Sequence, residues 1–67
     1  MPIRVTRREQ EVPPDKEGVV RGKNFTVIQV NGNTIISDGK GWSVTVDSKN
    51  DVAIYTDQGE IKVTTDN

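Results

Sequence analysis

The sequence contains no cysteine, no histidine and no leucine among its 67 residues. Without cysteine the chain cannot be a disulfide-stapled domain, and without cysteine or histidine it lacks the usual ligands of structural zinc. A Ser-His-Asp or Cys-His catalyst is excluded for the same reason. The candidate acid–base groups are therefore carboxylates, and the turn around Asp47 and Asp51 does not match a calcium-loop spacing. We expect no catalytic residue, no cofactor and no metal site, and we interpret the protein as non-enzymatic.

Aromatic residues and excess charge are also scarce. The chain has one Phe, one Trp and one Tyr, and its formal net charge is −1. Basic residues concentrate near the N-terminus, where Arg4, Arg7 and Arg8 are candidates for contacts with a partner or a neighbouring subunit. Acidic residues interrupt this segment, whereas a dedicated nucleic-acid binder is more basic. The sequence therefore does not favour nucleic acid as the partner.

The sequence shows neither a long apolar run nor a signal-peptide pattern. No stretch approaches the ~20 apolar residues of a membrane span. The N-terminal residues lack the apolar core of a signal peptide. These observations leave localisation open between cytoplasmic and virion-associated.

The sequence is rich in residues whose side chains are branched at Cβ. Ten valines, six isoleucines and seven threonines stand against one alanine and one methionine. Such side chains suit a pleated sheet and are poor in helices, whereas Leu, Ala and Met are the good apolar helix formers. The composition predicts an all-β domain with no helix longer than one turn.

The distribution of Pro, Gly and Asn divides the chain near residue 18. Pro13 and Pro14 interrupt regular structure, so residues 1–18 are predicted to be an extended arm or edge strand followed by a loop. Residues 19–67 read as a meander of short strands, and the pair Asn31-Gly32 has the chemistry of a tight hairpin turn. The predicted strands cover residues 3–7, 19–21, 25–30, 34–37, 42–46, 52–56 and 60–64.

Alternation of apolar and polar residues predicts which side chains form the core. The residues expected to be most buried are Phe25, Val27, Ile36, Trp42, Val44, Ile54, Ile61 and Val63. Two strands differ from the rest, because Ile28, Val30 and Ile35 lie on the face opposite these core positions. One small sheet cannot cover both faces, so we expect these three residues at a subunit interface. Tyr55 is a further candidate for such a contact.

The small size of the chain also favours association with other chains. A single core below roughly 70–80 residues rarely supplies more than ~3–5 kcal/mol, and association with other chains is a common supplement. A homo-oligomer is therefore the expected state, and another protein is a possible partner.

The segment from Ile36 to Thr64 contains Ser37-Asp38-Gly39-Lys40-Gly41 followed by short alternating strands with Asp, Asn and Gly turns. This pattern resembles the β-helical shafts of phage baseplate spikes and of type VI secretion spike proteins. It departs from them at Trp42, where such shafts often carry a small polar residue. The resemblance implies a trimer with strands wound about one axis, and it implies no catalytic residues.

Two interpretations of fold and function remain open. In the first, an antiparallel meander forms an intertwined oligomeric β-structure that acts as a structural or assembly protein, as a phage or phage-derived component would. In the second, the chain closes into a small SH3-like barrel that binds a protein or a single-stranded nucleic acid.

Overall fold

The computed structural model describes residues 3–65, which form strands and turns with no helix. The prediction of an all-β domain is therefore confirmed. Within this range the chain forms eight strands: β1 (Ile3–Arg7), β2 (Gln10–Val12), β3 (Val19–Gly22), β4 (Phe25–Val30), β5 (Asn33–Asp38), β6 (Ser43–Asp47), β7 (Val52–Thr56) and β8 (Gly59–Thr65).

The strands make two antiparallel sheets of four strands each. The meander sheet has the order β3-β4-β5-β6, so its strands are neighbours in sequence as well as in space. The terminal sheet has the order β2-β1-β8-β7, which places the first strand beside the last. Val5 of β1 lies opposite Val63 of β8 and also opposite Val12 of β2. One chain thus supplies both layers of a small sandwich.

The N-terminal segment is built into this sandwich. Where the sequence predicts an arm or edge strand and a loop, the structure has the hairpin β1–β2, and Val5 is only 1% exposed. The turn between the two strands consists of Arg8 and Glu9, both at positive φ (52° and 65°). Neither residue type is typical of that conformation, which explains why the sequence gives no turn signal there.

The hairpin predicted at Asn31-Gly32 is present. Both residues have positive φ, 52° and 77°, as a two-residue hairpin turn of this kind requires. The flanking strands β4 and β5 pair in continuous register from Phe25 opposite Asp38 to Val30 opposite Asn33. No bulge shifts the register, so the apolar residues on both faces of β4 reflect two apolar surfaces.

The core lies between the sheets and draws on both. Its buried apolar residues are Val5, Val20, Phe25, Val27, Ile36, Ile61 and Val63, with Thr34 as the buried polar member. Five of these are predicted from the alternation, namely Phe25, Val27, Ile36, Ile61 and Val63. Val5 and Val20 come from the segments whose strand signals are weakest.

Three residues predicted to be most buried, Trp42, Val44 and Ile54, are only half-buried. For Val44 and Ile54 the reason is their position in the sheets, whereas Trp42 lies just before β6 and belongs to no strand. Val44 lies on β6 and Ile54 on β7, and each of these strands is the edge of its sheet without being hydrogen-bonded to the other. The sandwich is therefore open along this side, and inward-facing side chains there keep one flank in solvent.

Candidate interaction surfaces

The two outer faces of the sandwich differ in chemistry. On the terminal sheet the outward residues include two surface ion pairs, Arg4 Nε to Glu11 Oε1 at 3.4 Å and Lys62 Nζ to Oε1 of the half-buried Glu60 at 3.5 Å. Surface pairs of this kind add little stability, but they show that this outer face is polar.

The outer face of the meander sheet has an apolar centre. Cross-strand pairing places Val19 opposite Ile28, Ile28 opposite Ile35 and Ile35 opposite Thr45, which makes one continuous row across the sheet. Val30, one step further along β4, extends the row towards the Asn31-Gly32 turn. We call Val19, Ile28, Val30 and Ile35 the apolar row.

Uncharged residues surround the apolar row, and charge is confined to two corners. On one side lies the cross-strand row Arg21–Thr26–Ser37–Ser43. On the other side, Val30 of the apolar row is followed across the sheet by Asn33 and Asp47. Among the strand residues of this face, Arg21 on β3 and Asp47 on β6 are the charged ones, and they occupy diagonally opposite corners. Both are exposed.

The structure separates the four residues predicted to form an interface. Ile28 and Val30 are 36% and 45% exposed, and Ile35 beside them is half-buried. Tyr55 is 78% exposed but belongs to β7, on the outer face of the other sheet. One flat contact can therefore cover the first three residues, whereas Tyr55 would need a contact of its own.

The predicted basic residues are also dispersed. Arg4 pairs with Glu11 on the outer face of the terminal sheet. Arg7 points to the end of the core, where its Cζ lies 4.8 Å from the centre of the Phe25 ring. Arg8 occupies the β1–β2 turn. Only Arg7 and Arg8 line a common groove, and Lys23 from the β3–β4 turn lines it with them.

The free edges of the sheets are unequally protected. Charged residues and prolines discourage pairing of an exposed edge with another strand. The short edge strand β2 carries Glu11 and is followed by Pro13 and Pro14, whereas β7 has no charged residue and no proline from Val52 to Thr56. The groove between β6 and β7 is lined by Trp42, Val44, Ile54 and Tyr55 among others.

The carboxylates considered as acid–base or metal-binding groups have structural contacts in the part of the chain that the structure describes. In residues 3–65 no group of three or more carboxylates is placed to hold a metal ion. Asp47 and Asp51 serve the backbone instead: Asp47 Oδ1 accepts a hydrogen bond from the Lys49 amide at 2.9 Å, and Asp51 Oδ1 accepts one from the Thr65 amide at 3.0 Å. No helix long and apolar enough to cross a membrane occurs in the same residues.

Comparisons with protein-family models, with curated proteins and with solved structures found no match for this chain. The resemblance of residues 36–64 to spike shafts stays a prediction from the sequence.

Proposed function

We propose that this protein is a non-enzymatic assembly protein whose copies associate through the outer face of the meander sheet. The observation that carries the proposal is the apolar row, which lies on a face whose charged strand residues stand only at two corners. Exposed apolar patches bordered by polar residues are typical of interaction sites. The spike-shaft resemblance also implies a structural component of a larger assembly, but it implies a trimer, whereas the contact proposed here is twofold.

The two charged corners favour a second copy of the chain as the partner. A twofold axis lying in the contact plane, perpendicular to the diagonal from Arg21 to Asp47, superimposes opposite corners of the two faces. It brings Arg21 of each copy to Asp47 of the other, while the apolar rows meet in the middle. Such self-complementarity is what an isologous contact requires. The two sheets would then cross at a large angle, which is one of the two common geometries of sheet packing.

A charge-exchange series tests this contact. Arg21→Asp places two acidic corners together and Asp47→Arg places two basic corners together, so each single variant should weaken association. The double variant Arg21→Asp/Asp47→Arg restores opposite charges and should recover it. The measurement is the solution mass by sedimentation equilibrium across a concentration series, read against the 7.4 kDa chain mass. A double variant no stronger than either single variant would contradict the twofold contact.

A second pair of variants locates the contact. Ile28→Asp places a charge in the apolar row, whereas Ala53→Asp places the same charge at an exposed position on the other outer face. We expect the first to lower the solution mass and the second to leave it unchanged. Tyr55→Ser should also leave the mass unchanged, and a loss of association there would move the interface to β7. A wild-type chain that is monomeric at high micromolar concentration would refute self-assembly, and a trimer would refute the twofold arrangement.

A further inference from the structure

The groove at the end of the sandwich beside the β1–β2 and β3–β4 turns has an unusual charge balance. It has a volume of about 520 Å³, and its lining includes Arg7, Arg8 and Lys23. The acidic residue that lines it is Glu11, which is paired with Arg4 at 3.4 Å. Within residues 3–65 the ion pairs involve Arg4, Arg21, Lys40 and Lys62, so the three cations of the groove have no carboxylate partner there.

Arg7 is fixed at the inner end of this groove. One terminal nitrogen donates to the Lys23 carbonyl oxygen at 2.7 Å and the other to Thr56 Oγ1 at 3.2 Å. Its guanidinium lies against the Phe25 ring, an arrangement that attracts a cation to the ring face. Its Nε is buried and has no hydrogen-bond partner among the described residues. These contacts hold the guanidinium in place with neutral groups, and the acidic residues Asp38 and Asp57 line an adjoining cavity with it without forming an ion pair to it.

Arg8 and Lys23 lie at the exposed rim of the same groove. The Arg8 side chain passes close over Gly59, where an added Cβ would meet its Cγ at 2.8 Å. The turn that presents Arg8 has two consecutive non-glycine residues at positive φ. Backbone of this kind costs free energy and persists where the surroundings impose it. The hairpin turn and the contact with Gly59 therefore place Arg8 at the rim of the groove.

We infer that this groove binds the carboxylates of an acidic peptide segment. The exposed guanidinium of Arg8 can donate two parallel hydrogen bonds to a carboxylate, and Lys23 and the fixed charge of Arg7 add to the attraction. Pro13 and Phe25 supply an apolar wall for the peptide chain. A long polyanion is disfavoured, because the chain as a whole carries a net charge of −1. The groove shares no lining residue with the apolar row, so variants of the two sites can be tested separately.

The test is a titration followed by the amide NMR signals of the full chain, kept dilute enough to be monomeric. The probe is the peptide acetyl-Glu-Asp-Glu-Asp-amide, its neutral control is acetyl-Gln-Asn-Gln-Asn-amide, and inorganic phosphate is a third arm. We expect the acidic peptide to shift signals of Arg7, Arg8, Lys23 and Asn24, and the neutral peptide to have no effect. Binding should weaken as salt is added, because the rim charges are exposed.

Three variants assign the binding to the groove. Arg8→Gln and Lys23→Gln should each weaken peptide binding roughly 2- to 5-fold, as expected for exposed charge pairs, and together they should weaken it further. Lys49→Gln removes an exposed lysine in the β6–β7 turn and should have no effect. Arg7 is left unchanged, because its terminal nitrogens donate to the Lys23 carbonyl oxygen and to Thr56 Oγ1 and its loss would disturb the groove itself.

Several outcomes would overturn the assignment. Equal binding of the acidic and neutral peptides would exclude a carboxylate site. Equal weakening by Lys49→Gln would show that only the overall charge matters. Tighter binding of phosphate than of the peptide, at the same residues, would replace the carboxylate ligand by a phosphate group.

Discussion

Ile35 and Ile36 are adjacent in β5, yet they face opposite surfaces, and the structure predicts very different costs for the same truncation. Ile36 is completely buried between the sheets, whereas Ile35 is half-buried in the apolar row. Ile36→Ala removes core contacts and leaves a cavity, which should cost about 3–5 kcal/mol of unfolding free energy. Ile35→Ala loses partly exposed surface with no enclosed cavity, so its cost in the monomer should be roughly 0.5–1.5 kcal/mol.

The assay is urea unfolding followed by the fluorescence of Trp42, at low and at high protein concentration. A domain of this size has a total stability of roughly 3–10 kcal/mol, so Ile36→Ala should be largely unfolded or have a much lower midpoint at every concentration. Ile35→Ala should unfold near the wild type when dilute and lose the extra stability that association gives the wild type when concentrated. The lower strand propensity of alanine affects both variants alike, since the two positions share one central strand. Equal losses at low concentration would refute the assignment of the two faces.

Two further changes test local packing. Gly22→Ala should destabilise the protein by about 1–3 kcal/mol, because the added methyl group would collide with the Phe25 ring. At Gly39 an added methyl group would point into open space, so Gly39→Ala should be neutral in the same thermal unfolding assay. Equal effects of the two substitutions would contradict the placement of Phe25. Asp51→Ala should lower the unfolding free energy by about 0.5–1.5 kcal/mol, because Asp51 Oδ1 accepts hydrogen bonds from the Thr65 amide and hydroxyl. The Thr65 amide should then exchange its hydrogen faster, and unchanged exchange would show that this hydrogen bond contributes nothing.

The strands from residue 25 onward could be predicted because their apolar residues alternate with a period of two and their turns contain Gly and Asn. The apolar row followed from the same alternation, since Ile28 and Ile35 fall on the face opposite Val27 and Ile36. The sequence did not predict the β1–β2 hairpin, because its turn is Arg8-Glu9 and its second strand is polar.

The sequence could not predict which positions are only half-buried, because that depends on which strands become edges. Val44 and Ile54 alternate as well as any core residue, yet β6 and β7 lack a partner on one side. The sequence could not predict the basic groove either, because Arg7 and Lys23 are 16 residues apart and come together only when the two sheets pack.

The pairing of the first strand with the last has a consequence for the order in which the chain can fold. The meander sheet needs only residues 19–47, and each of its strands pairs with a sequence neighbour. The terminal sheet cannot be completed before β8 pairs with β1, because β1 lies between β2 and β8. Local contacts form faster than distant ones, so we expect the meander sheet to form first during refolding and the strand pair β1–β8 to close the sandwich last. Until that step, the inner face of the meander sheet is as uncovered as its outer face.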